Sequence, residues 1–363
     1  MTNKVTNKEI VNAIRETMSA ESQNVMPLAN DDNLVEVYAT LENYPTAKNE
    51  FINTLTNRIG KQLFFDKLFN NPFRMLHKGM LPFGKSIEEL FVEMAEEKGF
   101  NEHFSGSTSA EADLIGLVKP SLKVDYITQN FQYKFKTSIS DLQLKGAFTS
   151  QYGLSELITR AVNSLLSSSQ YAEFRDMKKI LTNTTADSTK GSKIGTGLIQ
   201  QIYADTTIKS TAIIPLGANY SSQDLAIKIR EYSSLLTFPS TKYNLAGVRA
   251  WSQKEDLVLF TTPEHQAKLD VNVLAMAFNV SLADVNVRTI IIDDLGTIGA
   301  GNNKVVAVLA DKDCIQAYDT INTTNTFYNP ERLATNYFAH KHGIIAGCKF
   351  AQAVVFTDGD SVA

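Results

Sequence analysis

Residues 154–181 read LSELITRAVNSLLSSSQYAEFRDMKKIL, the strongest helical pattern in this chain of 363 residues. Apolar side chains recur every three or four positions, the spacing that places them along one face of an α-helix. At 1.5 Å per residue, such a helix is roughly 40 Å long. The pattern therefore predicts a structural spine that crosses the molecule. Its apolar members are Leu157, Ile158, Ala161, Val162, Leu165, Leu166, Phe174, Met177, Ile180 and Leu181.

The segment before the spine, residues 81–137, predicts a long two-stranded projection. Its middle, residues 99–112, is rich in Ser, Gly, Glu and His, which is typical of an exposed loop tip. Phe131, Tyr133 and Phe135 alternate with polar residues, the period of a strand with one apolar face. We expect this strand to be the return strand of the hairpin. Because a two-stranded hairpin is marginal alone, it needs something to pack against.

The rest of the chain mixes helical and strand patterns, as expected of an α+β or α/β protein. Residues 182–197 collect Thr, Ser, Asp, Lys and Gly, which predicts a loop. Helices are predicted over residues 9–18, from Pro45 to Gly60, 224–236, from Thr262 and 271–278. Strands are predicted over residues 257–260, 287–292, 305–309 and 353–356, and residues 63–69 form an apolar stretch before a turn.

The composition is that of a folded protein with no strong charge bias. Lys and Arg total 35 against 39 Asp and Glu, a formal net charge of -4, so a broad surface for duplex DNA is disfavoured. The two cysteines, Cys314 and Cys348, give no disulfide framework and are expected to be reduced thiols. Residues 1–18 lack the apolar core of a signal peptide, so we expect a cytoplasmic protein.

Two pairs of titratable residues are candidates for chemistry. His340 and His342 would point the same way on a strand, a geometry that a metal ion uses. No further ligand accompanies them at metal-site spacing, so a structural role is favoured. Asp293 and Asp294 end a predicted strand, where catalytic carboxylates occur, but the same residues are routine in turns. We therefore expect no catalytic residue, no metal and no cofactor.

Two other patterns have an ordinary explanation beside a functional one. Lys134 and Lys136 alternate with aromatic residues, which fits either a face for single-stranded nucleic acid or the exposed side of an amphipathic strand. Gly299 and Gly301 complete neither a dinucleotide fingerprint nor a phosphate loop, and turns explain them better. No nucleophile elbow or zinc-protease helix is present in the sequence.

Short motifs along nearly the whole chain resemble the major capsid proteins of small short-tailed phages of the phi-twenty-nine type, which have the Hong Kong ninety-seven capsid fold. Each motif is weak, but their common order makes chance an improbable source. The motifs are Ile10 to Arg15, Lys78-Gly79, Pro82, Gly84, Ile87 to Glu89, Leu269 to Val271, Val273 to Ala275, Ala277 to Asn279, Val308-Leu309, Asp311 to Asp313, Tyr318-Asp319, Asn329-Pro330, Asn336-Tyr337, Phe350-Ala351, Ala353-Val354 and Gly359-Asp360.

The resemblance implies an α+β chain with the parts of that capsid fold, and the domain boundaries follow from it. The hairpin corresponds to the E-loop, and the long helix is the spine of the P-domain. The expected parts are an N-arm with the start of the P-domain (1–80), the E-loop (81–137), the P-domain with the spine helix (138–205), the A-domain (206–330) and a closing P-domain segment (331–363). Some relatives continue into an immunoglobulin-like domain, which is not expected after Ala363.

The function that the resemblance implies is self-assembly, without catalysis, into an icosahedral shell around phage double-stranded DNA. Hexamers and pentamers of one chain form such shells, with a scaffolding protein and a portal as partners and the host cytoplasm as the place of assembly. Phe131, Tyr133 and Phe135 are the expected contacts with a neighbouring subunit. An encapsulin-like compartment of the same fold is an alternative, and a cytosolic hydrolase that uses Asp293, Asp294 or the histidine pair is another.

Overall fold

The structure is a computed structural model that describes residues 6–30, 32–59, 69–81, 86–95, 119–148, 153–189, 191–267, 288–299 and 301–361. The helices are α1 (Asn7–Arg15), α2 (Ala20–Val25), α3 (Leu34–Asn43), α4 (Pro45–Ile59), α5 (Asp141–Phe148), α6 (Gly153–Leu181), α7 (Leu198–Ala204), α8 (Lys209–Ala212) and α9 (Ser222–Leu235). Short 3-10 helices lie at Pro72–Leu76, Lys254–Asp256 and Lys312–Cys314.

The remaining regular elements are β-strands. They are β1 (His77–Met80), β2 (Ser86–Val92), β3 (Leu122–Thr128), β4 (Phe131–Ser140), β5 (Asp187–Thr189), β6 (Ser192–Ile194), β7 (Ile213–Pro215), β8 (Leu257–Thr261), β9 (Arg288–Ile291), β10 (Thr297–Ile298), β11 (Asn303–Asp311), β12 (Ile315–Asn329), β13 (Ala334–Gly347) and β14 (Ala353–Thr357). None of the described helices is both long and apolar enough to span a bilayer.

The helices begin and end where the local sequence favours it. The long helix predicted over residues 154–181 is confirmed as α6, a single helix of 29 residues. At the start of α9, the backbone N–H of Asp224 donates to the Ser221 hydroxyl at 3.2 Å. The Asp224 carboxylate in turn accepts from the backbone N–H of Ser221 at 2.9 Å. This reciprocal arrangement satisfies two N–H groups that the first turn of a helix leaves free.

The chain divides into two compact units, and the first comprises Met1–Asn71, Gln132–Arg175 and Ile321–His342. One core of this unit lies among the N-terminal helices and α5, around the tilted rings of Tyr38 and Phe148. A second core lies between α6 and the sheet of β4, β12 and β13. Burying apolar side chains from both elements holds the helix on the sheet. The second core contains Ile139, Leu165, Tyr337 and Ala339.

The second unit comprises Pro72–Phe131, Asp176–Thr320 and Gly343–Ala363. Its main sheet has the strand order β7-β14-β11-β8-β9, with β10 paired to β11. The central strands β8 and β14 are buried at every residue, as expected of strands covered on both faces. The helix α9 contributes Leu225 and Ile229 to the core on this sheet, beside Phe356 of β14.

Two predictions about loops and hairpins are wrong. The predicted loop of residues 182–197 contains the paired strands β5 and β6. The return strand of the hairpin is β3, which pairs with β2 from Ser86 opposite Thr128 to Val92 opposite Leu122. The strand of Phe131, Tyr133 and Phe135 is confirmed as β4, but it follows the hairpin and lies between β13 and β6. The predictions for residues 99–112 and 271–278, and for most of 63–69, concern segments outside the described residues.

Candidate assembly surface

The hairpin of β2 and β3 forms a sheet of its own with two strands. Successive side chains of a strand point to opposite faces, and exposure alternates strictly along both strands. The half-buried positions form one face and the exposed positions form the other. We call these the inner hairpin face (Ile87, Glu89, Phe91, Lys123, Asp125 and Ile127) and the outer hairpin face (Ser86, Glu88, Leu90, Val92, Leu122, Val124, Tyr126 and Thr128).

The inner hairpin face contacts the subunit's own second unit. Phe91 stacks on Phe350, with ring centroids 5.5 Å apart and planes 21° apart. The Lys123 ammonium donates to the carbonyl oxygen of Ala246 at 3.0 Å. On the same face the Lys349 ammonium lies 2.9 Å from the Asp125 carboxylate. These contacts are one stacked pair and a few exposed polar links, each worth little in water.

The outer hairpin face is apolar over most of its area and is exposed. Leu90 lies opposite Val124, and Val92 opposite Leu122, so the four side chains form a continuous patch across the two strands. The exposed fractions are 58% for Leu90, 53% for Val92, 55% for Leu122, 42% for Val124 and 67% for Tyr126. A contiguous exposed apolar patch is a candidate for contact with another molecule, whereas single exposed apolar residues elsewhere are ordinary.

The apolar patch ends at the polar side chain of Glu88. The Tyr126 hydroxyl donates to the Glu88 carboxylate at 3.1 Å, between residues that face each other across the strands. This hydrogen bond, more than any other cause, raises the pKa of Tyr126 above its ordinary value. The outer hairpin face therefore has an apolar part around Leu90 and Val124 and a polar end at Glu88, the layout of a contact surface with a polar rim.

The three aromatic residues expected at a subunit contact have other surroundings in this structure. Phe131 is 3% exposed and Tyr133 is 7% exposed. The Tyr133 hydroxyl accepts a hydrogen bond at 2.9 Å from Arg175, whose guanidinium lies 5.7 Å from the ring centroid. Phe135 packs against the core of Leu165. Within the subunit these side chains stabilise its own core, and their contact with a neighbour stays an untested prediction.

Gly343 explains how closely Phe131 is packed. A Cβ atom built on Gly343 would lie 2.7 Å from the ring of Phe131 and would also collide with the carbonyl oxygen of Tyr318. Real Cβ atoms do not approach other atoms so closely, so only glycine fits where ring and backbone meet. The position of Phe131 is therefore fixed from inside the second unit.

The candidate catalytic and metal residues do not assemble into a site. The rings of His340 and His342 lie on the same side of β13, with centroids 6.5 Å apart. Burial, and then the neighbouring His340, lower the pKa of His342. Among the described residues no third His, Cys, Asp or Glu joins them to hold a metal ion. Asp293 instead accepts a hydrogen bond from Lys178 at 2.8 Å, and Asp294 one from the backbone of Gly296 at 3.0 Å.

The cysteines and the lysines of β4 have structural surroundings as well. Both Cys314 and Cys348 are buried and free of disulfides, and burial raises the pKa of the Cys348 thiol to about 12. A thiol that stays protonated is a poor nucleophile. Lys134 and Lys136 are exposed, whereas Phe131 and Tyr133 are buried on the opposite side of β4. The lysines of β4 therefore do not share a face with Phe131 and Tyr133, although Lys136 lies 5.7 Å from the ring centroid of Phe338 on β13.

The residues of the outer hairpin face were missed by the sequence analysis. Their signal is present, because Leu90 and Val92 on one strand, and Leu122, Val124 and Tyr126 on the other, are spaced two apart. Phe91 lies between Leu90 and Val92 in the sequence, so the three residues form a continuous apolar run. This run hides the alternation of the two faces. The clear alternation of β4 was the stronger pattern, although it belongs to a core strand.

Comparison with known proteins gives the family. A family model described as "Phi29-like phage major capsid protein" matches residues 11–357. The major capsid protein of Bacillus phage B103 is 30% identical over 356 residues, which cover 98% of this chain and 73% of that protein. The corresponding protein of Bacillus phage PZA is 30% identical over 354 residues, with shares of 97% and 73%.

Solved structures give the fold independently. The capsid structure of Staphylococcus phage Andhra matches with a TM-score of 0.59 at 14% identity, over 81% of this chain and 86% of that one. The predicted α+β architecture of the Hong Kong ninety-seven capsid fold is thereby confirmed. The chain belongs to the family of Phi29-like phage major capsid proteins, and it is a subunit of an icosahedral phage shell.

Proposed function

We propose that each subunit lays the outer hairpin face on the next subunit of a closed ring, and that pentamers and hexamers built in this way form the shell. A head-to-tail contact of this kind uses two different surfaces and closes when the rotation between subunits closes. The observation that carries the proposal is the exposure of Leu90, Val92, Leu122, Val124 and Tyr126 on one face. In this assignment the hairpin is the E-loop.

The free energy of the contact comes mainly from apolar area. Complete burial of one Val or Leu side chain is worth roughly 1.5–3 kcal/mol. The outer hairpin face offers four such side chains and one tyrosine, and a ring repeats the contact at every subunit. Aromatic residues dominate the energetics of many contacts, so Tyr126 is the side chain whose loss should weaken assembly most.

An experiment that tests this contact replaces Leu90, Val124 and Tyr126 with Ser. We expect a monomer that melts cooperatively and at nearly the wild-type temperature, but that forms no rings or shells in sedimentation and electron microscopy. Ile227→Ser is the matched control, because Ile227 is 61% exposed on α9, like Leu90 at 58% on the hairpin. Normal shells from the triple variant, or a loss of folding, would contradict the proposal.

The remaining parts of the proposed function concern partners. We propose that the shell encloses double-stranded DNA without gripping it, that a scaffolding protein and a portal take part in assembly, and that assembly occurs in the host cytoplasm without a catalytic step. The formal charge of -4 supports the weak contact with DNA. Nuclease treatment of native particles tests it, because the expected result is protected double-stranded DNA, and empty particles would contradict it.

A further inference from the structure

A cavity of about 440 Å³ lies beside the hairpin, within the second unit. Glu89, Leu90 and Phe91 of β2 line it, together with residues that include Trp251 and Gln352. Small-molecule and side-chain sites are concave, mostly apolar, and contain a few polar groups that fix the ligand. The polar groups of this cavity therefore indicate what it could hold.

Two hydrogen-bond acceptors in the cavity lack an adequate donor. Gln352 is completely buried, and its side-chain N–H donates to the carbonyl oxygen of Ala250 at 2.8 Å, which fixes the amide orientation. Its Oε1 atom has no partner. Both carboxylate oxygens of Glu89 are also buried, and the weak thiol donor of Cys348 is the hydrogen-bond donor that acts on them, beside the more distant charge of Lys349. Unpaired buried acceptors cost free energy that a donor group would recover.

The other carboxylates nearby already have partners. Asp313 accepts from the Lys78 ammonium, and Asp125 lies 2.9 Å from the ammonium of Lys349. Asp311 accepts from the backbone N–H of Asp313 at 2.9 Å. Glu89 is therefore the carboxylate of this cluster that is open to a ligand. Among the described residues, no group of three metal-ligating side chains could hold a metal ion, so an organic cation fits better.

Aromatic walls favour a planar cation. Phe91 and Phe350 both line the cavity and stack on each other, and Trp251 is 50% exposed. A guanidinium group stacks on aromatic faces, and it presents several N–H donors in one plane, which suits a carboxylate together with an amide oxygen. An ammonium group matches the charge of Glu89 but neither the stacking nor the planar set of donors.

Leu90 connects the cavity to the outer hairpin face, because it lines the one and belongs to the other. A molecule on the outer hairpin face can therefore extend a side chain past Leu90 into the cavity, where the negative charge of Glu89 favours a cationic group. We propose that the cavity receives an arginine side chain from a second copy of this chain. The identity of the donor as a second copy rests on the proposed function, whereas the preference for a guanidinium does not.

The first experiment titrates the soluble subunit with N-acetyl-L-arginine amide and follows binding by calorimetry. We expect Glu89→Gln to weaken binding at least tenfold and Trp251→Ala to weaken it severalfold. Glu88→Gln is the matched control, because this neighbouring carboxylate lies on the outer hairpin face and should leave binding unchanged. N-acetyl-L-lysine amide should bind more weakly than the arginine probe. Equal binding of both probes, or no effect of Glu89→Gln, would overturn the assignment of a guanidinium site.

The second experiment assembles shells with and without the arginine probe. We expect millimolar N-acetyl-L-arginine amide to lower the yield of wild-type shells, and Glu89→Gln to lower it without the probe while the subunit still melts cooperatively. Unchanged assembly in both cases would overturn the role of the second copy even if the probe binds. If the wild-type chain formed no shells at all, the proposed function would fail, while the titration would still report on the cavity.

Discussion

Lys341 of β13 and Glu173 of α6 form a buried ion pair inside the first unit, with both side chains 9% exposed. The lysine lies on the core side of its strand, whereas His340 and His342 on either side of it are half-buried on the other. The ion pair therefore links the sheet to the helix α6 at a buried position where apolar side chains are more usual.

Breaking this pair should destabilise the fold strongly. Lys341→Met leaves the Glu173 carboxylate buried without its charged partner, and we expect a loss of about 3–5 kcal/mol in chemical unfolding. The double variant Lys341→Met with Glu173→Leu should recover most of that loss. Lys228→Met is the control, because its pair with Glu231 is exposed and worth about 1 kcal/mol or less. A single variant as stable as the wild type would contradict this account of the core.

The spine helix should not tolerate a proline in its middle. Leu165 of α6 is 7% exposed and packs in the core between this helix and the sheet. Leu165→Pro removes a backbone hydrogen bond and adds a steric clash, with an expected cost of about 3 kcal/mol or more. Leu165→Met keeps the volume and should cost less than about 1.5 kcal/mol. Thermal unfolding separates the two, and an unchanged melting temperature for the proline variant would refute the structural role.

Replacement by Ser should destabilise the monomer strongly at Phe131 and very little at Leu90. Phe131→Ser empties a fully packed site in the second unit and should lower the free energy of unfolding by about 3–5 kcal/mol. Leu90→Ser changes an exposed side chain, so the effect on the monomer should stay within about 0.5 kcal/mol. Chemical unfolding of the monomer measures both. If Phe131→Ser left stability unchanged and only assembly failed, the aromatic residues of β4 would be subunit contacts after all.

Ionisation of Glu89 should make stability depend on pH. Burial raises the pKa of Glu89 above its ordinary value of 4.5, and the charge of Asp125 acts in the same direction. The folded protein then holds this proton more tightly than the unfolded chain, so stability is lost as pH rises from about 4.5 through the raised pKa. Glu89→Gln should therefore raise the melting temperature at neutral pH.

The gain in melting temperature from Glu89→Gln should become smaller as the pH is lowered toward 4.5. Asp313 and Lys349 also act on Glu89, the first raising and the second lowering its pKa, so the comparison is best made against Glu88→Gln, which leaves all of these groups in place. A melting temperature that does not rise in Glu89→Gln at any pH would contradict the cost of burying this carboxylate.

The histidine pair should be replaceable. His340→Gln with His342→Gln keeps similar volume and removes both imidazoles, and no third ligand lies near them among the described residues. We expect normal shells in electron microscopy and no change in metal content by mass spectrometry. Stoichiometric zinc in wild-type particles that disappears in the double variant would show that these residues bind a metal.

Elements with their own periodicity could be predicted from the sequence. The helix α6 follows from its apolar stripe, and α9 was predicted over residues 224–236 from its helical pattern. The strand β4 was also predicted from its alternation. Such patterns depend only on neighbours along the chain, so one sequence is enough to reveal them.

Pairing between strands could not be predicted in the same way. The alternation of β4 shows that one face is buried, but it does not say which strand lies beside it. The hairpin is the harder case, because its half-buried face mixes three charged residues with three apolar ones, while Leu90 and Val124 are exposed. A rule that turns polar residues outward does not assign the faces of such a strand correctly, and the proposed contact with a neighbouring subunit would explain why apolar side chains are exposed there.

The exposed apolar side chains of the hairpin have a consequence for how the particle dissociates. If the outer hairpin face is the proposed contact, its apolar side chains are covered only when a neighbour is present, so part of the protein's stability depends on subunit concentration. On dilution, a shell should lose this part before any subunit unfolds. Resistance to heat is then a collective property of the particle, and mass action among subunits decides it together with the fold of each one.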